Sequence, residues 1–258
     1  MHSQNDSEQN TPNMNVHRLP AFDDNYFWVI ENLQSPKQVA VVDPGDAQPV
    51  IDWLLANDRE LAIVLLTHHH GDHVGGVAKL RDWAKLQGYS LSVFGPEGDA
   101  PKIHFEYQQL HDLENLPVLG FNAKVLHVPG HTLGHISYWF EDNKVAFCGD
   151  TLFAMGCGRL FEGTADQMWA SLAKLASLPD ETLMYCAHEY TASNCKFALA
   201  EEPSNTHVVQ RAADVASARA EGIATVPFTI GLDKLSNPFL RVKRQDFAAL
   251  RQRKDVFR

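Results

Sequence analysis

The chain has 258 residues, 45% of them hydrophobic, enough to bury a sizeable core in one or two domains. Its 22 basic and 32 acidic residues leave a net charge of −10, which argues against a nucleic-acid partner, since phosphate binding favours a broad basic surface. No apolar stretch approaches the length of a membrane span, so no membrane partner is expected.

Residues 1–13 are polar and partly acidic, without an apolar core or arginine richness. They predict a disordered tail rather than a signal or transit peptide, with cytoplasmic residence as the default. Short apolar runs then predict strands at residues 26–30, 39–43, 61–66, 91–94, 124–128, 136–140, 145–148 and 182–187. Between them, the segment from Val74 to Leu86 places Val77, Leu80, Trp83 and Ala84 near one helical face. Thr164 with Gln167 predicts a capping box that opens a helix through Met168, Leu172 and Leu175. After about Thr191 the pattern becomes helical, over Asn194–Glu201, Thr206–Ala220 and a last helix from about Asp246. Hairpin-spaced and helix-spaced strands together imply an α/β layered fold with mixed sheets, followed by a helical C-terminal domain.

The segment Thr67-His68-His69-His70-Gly71-Asp72-His73 carries the most chemistry. It sets His68, His70, Asp72 and His73 directly after a buried-strand pattern, and imidazole with carboxylate suits zinc, iron or manganese. Further ligand-type residues stand at the ends of other apolar runs: His131, Asp150 and His188. So many such groups point to two ions. The four cysteines, Cys148, Cys157, Cys186 and Cys195, have neither C-x-x-C nor zinc-finger spacing and read as reduced packing residues. Cys157 lies in the loop after Asp150, close to the expected site.

The last eighteen residues invert the overall charge, with seven basic residues against two acidic ones. A charge run is usually a solvated helix face. However, Arg251-x-x-Lys254 puts two cations on one face, where they could clamp a small carboxylate ligand.

The pattern His-x-His-x-Asp-His, then a distant histidine, an aspartate and a last histidine, resembles the metallo-β-lactamase superfamily. Ala21-Phe22-Asp23-Asp24-Asn25-Tyr26, Val42-Asp43-Pro44-Gly45-Asp46, Pro129-Gly130-His131-Thr132-Leu133-Gly134-His135, Cys148-Gly149-Asp150-Thr151-Leu152-Phe153, Gly156-Cys157-Gly158-Arg159 and Ala187-His188-Glu189-Tyr190-Thr191 narrow the resemblance to the hydroxyacylglutathione hydrolase (glyoxalase II) family, from about Met14 to the C-terminus. The resemblance implies an αββα four-layer sandwich with a C-terminal helical domain, divided as residues 1–13 (tail), 14–190 (catalytic) and 191–258 (substrate-binding). It assigns His68, His70 and His131 to one metal and Asp72, His73 and His188 to a second, with Asp150 bridging both. Asp72 and Asp150 would be the catalytic carboxylates. Zinc is expected at both sites, with iron or manganese as alternatives.

His69, His127 and His135 would be supporting or structural. Asp43 would either orient a ligating histidine or simply make an Asp-Pro-Gly turn. Glutathione would be held by Arg251, Lys254, Tyr190, His188 and the loop from Arg159 to Phe161. Some family members have lysine and tyrosine where this chain has Arg159 and Phe161, which puts a hydrogen bond from position 161 in doubt. The implied reaction is hydrolysis of S-D-lactoylglutathione, a glutathione thioester, to D-lactate and glutathione by a monomer. Two relatives of the same superfamily are rival readings: an RNA-processing phosphodiesterase, which shares Gly71 in His-x-His-Gly-Asp-His, and a mononuclear-iron persulfide dioxygenase.

Overall fold

The computed structural model describes residues 14–257, so the tail expected over residues 1–13 lies outside them. The chain opens with β1 (Met14–Ala21), β2 (Asn25–Asn32) and β3 (Gln38–Val42), followed by α1 (Ala47–Asn57). Next come β4 (Glu60–Leu65), α2 (Gly71–Val74), α3 (Val77–Gln87), β5 (Ser92–Pro96), a 3-10 turn (Glu97–Lys102) and β6 (Gln108–Leu110). These six strands form one sheet in chain order, antiparallel from β1 to β3 and parallel from β3 to β6.

A second sheet takes β7 (Asn115–Val118), β8 (Phe121–His127), β9 (Ile136–Phe140) and β10 (Val145–Gly149). The hairpin β11 (Leu152–Phe153) and β12 (Gly156–Cys157), then α4 (Ala165–Ala176), lead to β13 (Leu183–Cys186). The remainder is α5 (Thr191–Glu201), α6 (Thr206–Ala220), β14 (Phe228–Thr229), α7 (Ile230–Ser236), α8 (Pro238–Arg241) and α9 (Arg244–Val256). The second sheet runs β14-β13-β10-β9-β8-β7, with β10 and β13 parallel.

Strand periodicity explains the layering. All eight residues of β2 are buried, because the strand is covered on both faces. Tyr26, Trp28 and Ile30 point into the core between the sheets, with Tyr138, Phe140 and Phe147. Phe27 and Val29 point the other way, onto Val50 and Leu54 of α1 and Val77 and Leu80 of α3. On the far side α4 covers the second sheet with Met168, Leu172 and Leu175. Burying each large side chain contributes about 1.5–3 kcal/mol, so these ladders dominate the stability of the sandwich. Two hydrogen bonds also cross between the sheets: Tyr138 Oη donates to the Leu66 carbonyl at 2.8 Å, and Trp28 Nε1 to the Cys186 carbonyl at 3.0 Å.

All eight predicted strands are present within a few residues, and the Thr164/Gln167 capping box forms in both directions. The helix expected over Val74–Leu86 is α3, which begins at Val77 because Gly75 and Gly76 separate it from the single turn of α2. A Cβ at Gly75 would lie 2.7 Å from the Gly45 carbonyl oxygen, and one at Gly76 2.6 Å from that of Pro44. The Asp-Pro-Gly turn packs against this point and leaves no room for side chains. α1, the eight-residue β1 and the short strands β6, β7, β11, β12 and β14 are not marked by apolar runs. α1 carries Pro49 in its first turn, where proline is tolerated but weakens the helical signal.

Candidate metal centre

Four strand ends converge at one edge of the sandwich. The loop after β4 carries His68 and His70, and α2 carries Asp72 and His73. The turns after β8, β10 and β13 supply His131, Asp150 and His188. Gly158 lets the following loop close over them, since a Cβ there would stand 2.0 Å from the Asp150 carbonyl oxygen.

The donor atoms form two sets. His70 Nδ1 lies 3.0 Å from both His68 Nε2 and His131 Nε2, and His131 Nε2 lies 3.4 Å from Asp150 Oδ2. In the other set, Asp72 Oδ2 is 3.5 Å from His73 Nε2 and 3.4 Å from His188 Nε2. Asp150 touches this set too, with Oδ1 3.5 Å from His73 Nε2 and Oδ2 3.4 Å from His188 Nε2. Ligands roughly 2.0–2.1 Å from a tetrahedral ion stand about 3.4 Å apart, so both sets have the spacing of metal donors. His73 Nε2 and Asp150 Oδ1 are buried without hydrogen-bond partners, as expected of atoms whose lone pairs serve an ion. The donor set therefore fits two divalent cations that share Asp150.

The opposite ring nitrogens are held in place. Thr67 Oγ1 is 3.1 Å from His68 Nδ1, the Arg159 carbonyl 2.9 Å from His131 Nδ1, and Asp24 Oδ1 2.8 Å from His188 Nδ1. Asp43 Oδ2 stands 3.1 Å from His73 Nδ1 as an ion-pair contact, without hydrogen-bond alignment. Asp43 also accepts from the Thr67 amide and hydroxyl, both at 2.7 Å, with its backbone in the left-handed region at φ 52°. Both readings of Asp43 thus hold, because the turn presents the carboxylate to the histidine. Replacing Asp43 by alanine is expected to weaken metal binding about 10–100-fold, the usual cost of losing such a partner. Competitive titration against a chromophoric chelator measures this, and an unchanged affinity would make Asp43 a turn residue only.

Electrostatics divide the histidines: burial lowers His68, His70 and His131, whereas Asp150, against burial, raises His73 and His188. Burial, then His131, pushes His70 down to about 4, and burial with His73 holds His68 well below its usual value. Asp150 stays ionised although burial opposes it, because His73 and His188 stabilise its charge. Burial lowers His188, but Asp150 and Asp72 outweigh it and raise the group to about 10.

The supporting histidines behave differently from one another. His69 turns away from the donors onto Asp99 at 2.9 Å and Glu162 at 3.3 Å. His135 is buried and stacked on His68 at 4.7 Å, and its Nε2 accepts from the Asp150 amide. His127 bonds the Leu133 carbonyl, away from the donors.

A cavity of about 730 Å³ opens over the centre. His70, Asp72, His131, Asp150 and His188 line its floor, and Arg159, Phe161, Tyr190, Arg251 and Lys254 line its walls. Tyr190 stacks on His188 at 4.7 Å and 5°, while Phe161 packs its edge near His70 and His131. The substrate-side residues read from the sequence therefore meet in one pocket with the donors. The basic tail divides as well. Arg241, Arg244 and Arg253 pair with Glu202, Asp166 and Glu201 on the surface, whereas Arg251 and Lys254 face the pocket.

Comparison with known proteins agrees with this geometry. Residues 22–188 match the metallo-beta-lactamase superfamily, and residues 189–257 match the hydroxyacylglutathione hydrolase C-terminus. A hydroxyacylglutathione hydrolase of Pseudomonas savastanoi pv. phaseolicola (strain 1448A / Race 6) is 51% identical over 231 residues, 88% of this chain and 86% of that protein. One from Pseudomonas putida (strain GB-1) is 48% identical over 264 residues, 94% of this chain and 99% of that protein. The chain belongs to the hydroxyacylglutathione hydrolase family. It is thus a hydrolase on the metallo-beta-lactamase fold with a helical C-terminal domain. The fold likeness extends to the crystal structure of ETHE1 from Myxococcus xanthus, with a TM-score of 0.69 at 24% identity, covering 95% of this chain and 93% of that one.

Within this hydroxyacylglutathione hydrolase fold, several residues near the centre escape sequence reading. Asp24 ends the β1–β2 turn and Asn25 opens β2, where an Asp-Asn pair reads as turn chemistry, yet Asn25 Nδ2 donates to Asp72 Oδ2 at 3.0 Å. Phe153, Ser193, Asn194 and Phe257 also line the pocket, together with Cys157, which the sequence places near the site. Burial, outweighing Arg251, pushes the Cys157 thiol up to about 11, so it packs rather than reacts. Among the described residues no helix is long and apolar enough to cross a membrane.

Proposed function

We propose that the chain hydrolyses S-D-lactoylglutathione to D-lactate and glutathione, with zinc at both metal positions. The observation that carries this reading is a single pocket joining a seven-residue donor set to a wall of three cations, Arg159, Arg251 and Lys254. His68, His70, His131 and Asp150 would hold one ion, and Asp72, His73, His188 and Asp150 the other. Two divalent ions there supply Lewis acidity and, by lowering the pKa of a bound water toward ~7, hydroxide at neutral pH.

The chain's own groups place the substrate. Arg159, Arg251 and Lys254 offer charge-assisted hydrogen bonds to the carboxylates of the glutathione moiety. Burial, with Asp24 next, pushes the Tyr190 phenol up, so it stays protonated and can donate a hydrogen bond. Phe161, without a hydroxyl, contributes an apolar edge beside His70 and His131 that shields the reacting carbonyl from bulk water. The departing thiolate derives from a thiol of pKa ~8.5 and needs no dedicated general acid. Residues 14–190 would then carry the chemistry and residues 191–258 the thiol side of the substrate. We place this activity in the cytoplasm, in a monomer, without membrane or nucleic-acid partners. The acidic overall charge supports the last point.

The test is to mix the purified protein with S-D-lactoylglutathione and follow loss of the thioester absorbance beside a chelator-treated sample. Rapid loss that the chelator abolishes and zinc restores is expected. No loss from protein confirmed to carry two metals would overturn this reading in favour of persulfide oxygenation or phosphodiester hydrolysis.

A further inference from the structure

Among the described residues, Gly71 is the one glycine that lines the pocket. It has no backbone reason to be glycine, because it opens α2 in ordinary helical conformation rather than in the left-handed region. Nor does packing require it, since a Cβ built there meets nothing within 4 Å. The contrast with its neighbours is sharp: a Cβ on Gly45, Gly75, Gly76 or Gly158 would come within 1.9–2.7 Å of backbone atoms. Glycine also weakens a helix relative to alanine, so the fold gains nothing from it. The open space above Gly71 belongs to the pocket.

Its position says which part of a substrate that space would take. Gly71 is bonded to His70, a donor of the first set, and to Asp72, a donor of the second. The cationic wall comes from elsewhere in the chain, the loop carrying Arg159 and the helix carrying Arg251 and Lys254. A thioester whose thiol portion reaches those cations, and whose carbonyl lies over the donors, has its acyl group left to place. We propose that the acyl group lies over Gly71, and that the missing side chain sets how wide an acyl group the enzyme accepts. This inference rests on the thioester hydrolysis proposed above.

Steady-state kinetics with S-D-lactoylglutathione and the bulkier S-D-mandeloylglutathione test it, on the unsubstituted enzyme and on Gly71→Ala, Gly71→Val and Gly71→Trp. The readout is the ratio of kcat/KM for mandeloyl over lactoyl. It is expected to fall stepwise with side-chain size, by at least tenfold in Gly71→Trp, while inhibition by free glutathione keeps its constant. Metal content and thermal midpoint are recorded for each variant. If tryptophan displaces the ions, the alanine and valine steps decide. A ratio constant within twofold across metal-loaded variants overturns the proposal, as does a shift confined to glutathione inhibition, which would put Gly71 on the thiol side. Inactivity of the unsubstituted enzyme toward both thioesters is a different failure. It overturns the proposed function, and this inference with it.

Discussion

Replacing Asp150 with alanine is expected to lower thioester hydrolysis by at least ~10³-fold, equivalent to about 4 kcal/mol of transition-state stabilisation. The carboxylate is the one group that reaches both donor sets, with Oδ2 3.4 Å from His131 and His188 and Oδ1 3.5 Å from His73. It is buried, and His73 and His188 hold it ionised against the effect of burial. Alanine would therefore remove a ligand from each ion and leave the histidines without their counter-charge. Metal analysis should fall from two ions per chain to fewer than one. Asp150→Asn separates shape from charge, and it is expected to retain more metal than the alanine variant but little activity. Full activity with normal metal loading in Asp150→Ala would sink the shared-carboxylate assignment.

The second large effect is expected at Arg251, and it is a double one. Spacing on a helix face gave Arg251 a role in binding a carboxylate. The structure gives it further work, because only 4% of the residue is exposed. Its guanidinium donates to the Cys157 carbonyl at 2.8 Å and to Asp255 at 3.0 Å, and it lies 5.0 Å above the Phe239 ring. It thereby ties α9 to the hairpin that leads into Arg159. Arg251→Ala should raise KM for the glutathione thioester about 10–100-fold, the scale of a hydrogen bond to a charged group. It should also destabilise the protein by about 1–3 kcal/mol, because the Cys157 carbonyl is left unpaired. A Tm loss of about 2–4 °C per kcal/mol would report this. Lys254→Ala is the companion. Lys254 rests over Phe197 and Phe257 and reaches the Ser193 carbonyl only at 3.5 Å, so its loss should raise KM with little change in Tm. Unchanged KM in both variants would remove α9 from the substrate site.

Much of the centre was legible because its chemistry is written in short stretches after apolar strands. His68, His70, Asp72 and His73 lie within six residues, and His131, Asp150 and His188 each follow a recognisable run. What could not be read was whatever depends on distant chain segments meeting. Asp24 reaches His188 across 164 residues, and Asp99 comes to His69 from a 3-10 turn with no periodic signal. The short strands β11 and β12 hold only two residues each, too few for any pattern. Yet Asn194, Asn237 and Arg251 all hydrogen-bond to this hairpin, so it joins the C-terminal helices to the metal loops. The break between α2 and α3 belongs to the same class. The apolar face alone placed Val74 in the helix, and the turn at Pro44 and Gly45 explains the glycines that hold it apart.

The side-chain hydrogen bonds of Tyr138 and Trp28 between the sheets each end on a carbonyl two residues ahead of a donor, Leu66 before His68 and Cys186 before His188. One sheet supplies four of the seven donors and the other supplies three, so the distance between the sheets is also a dimension of the metal centre. Tyr138 and Trp28, which are not among the donors, act as spacers of fixed length between its two halves. The loops around the pocket are consequently free to vary with the substrate while the gauge of the centre is kept by the core beneath them.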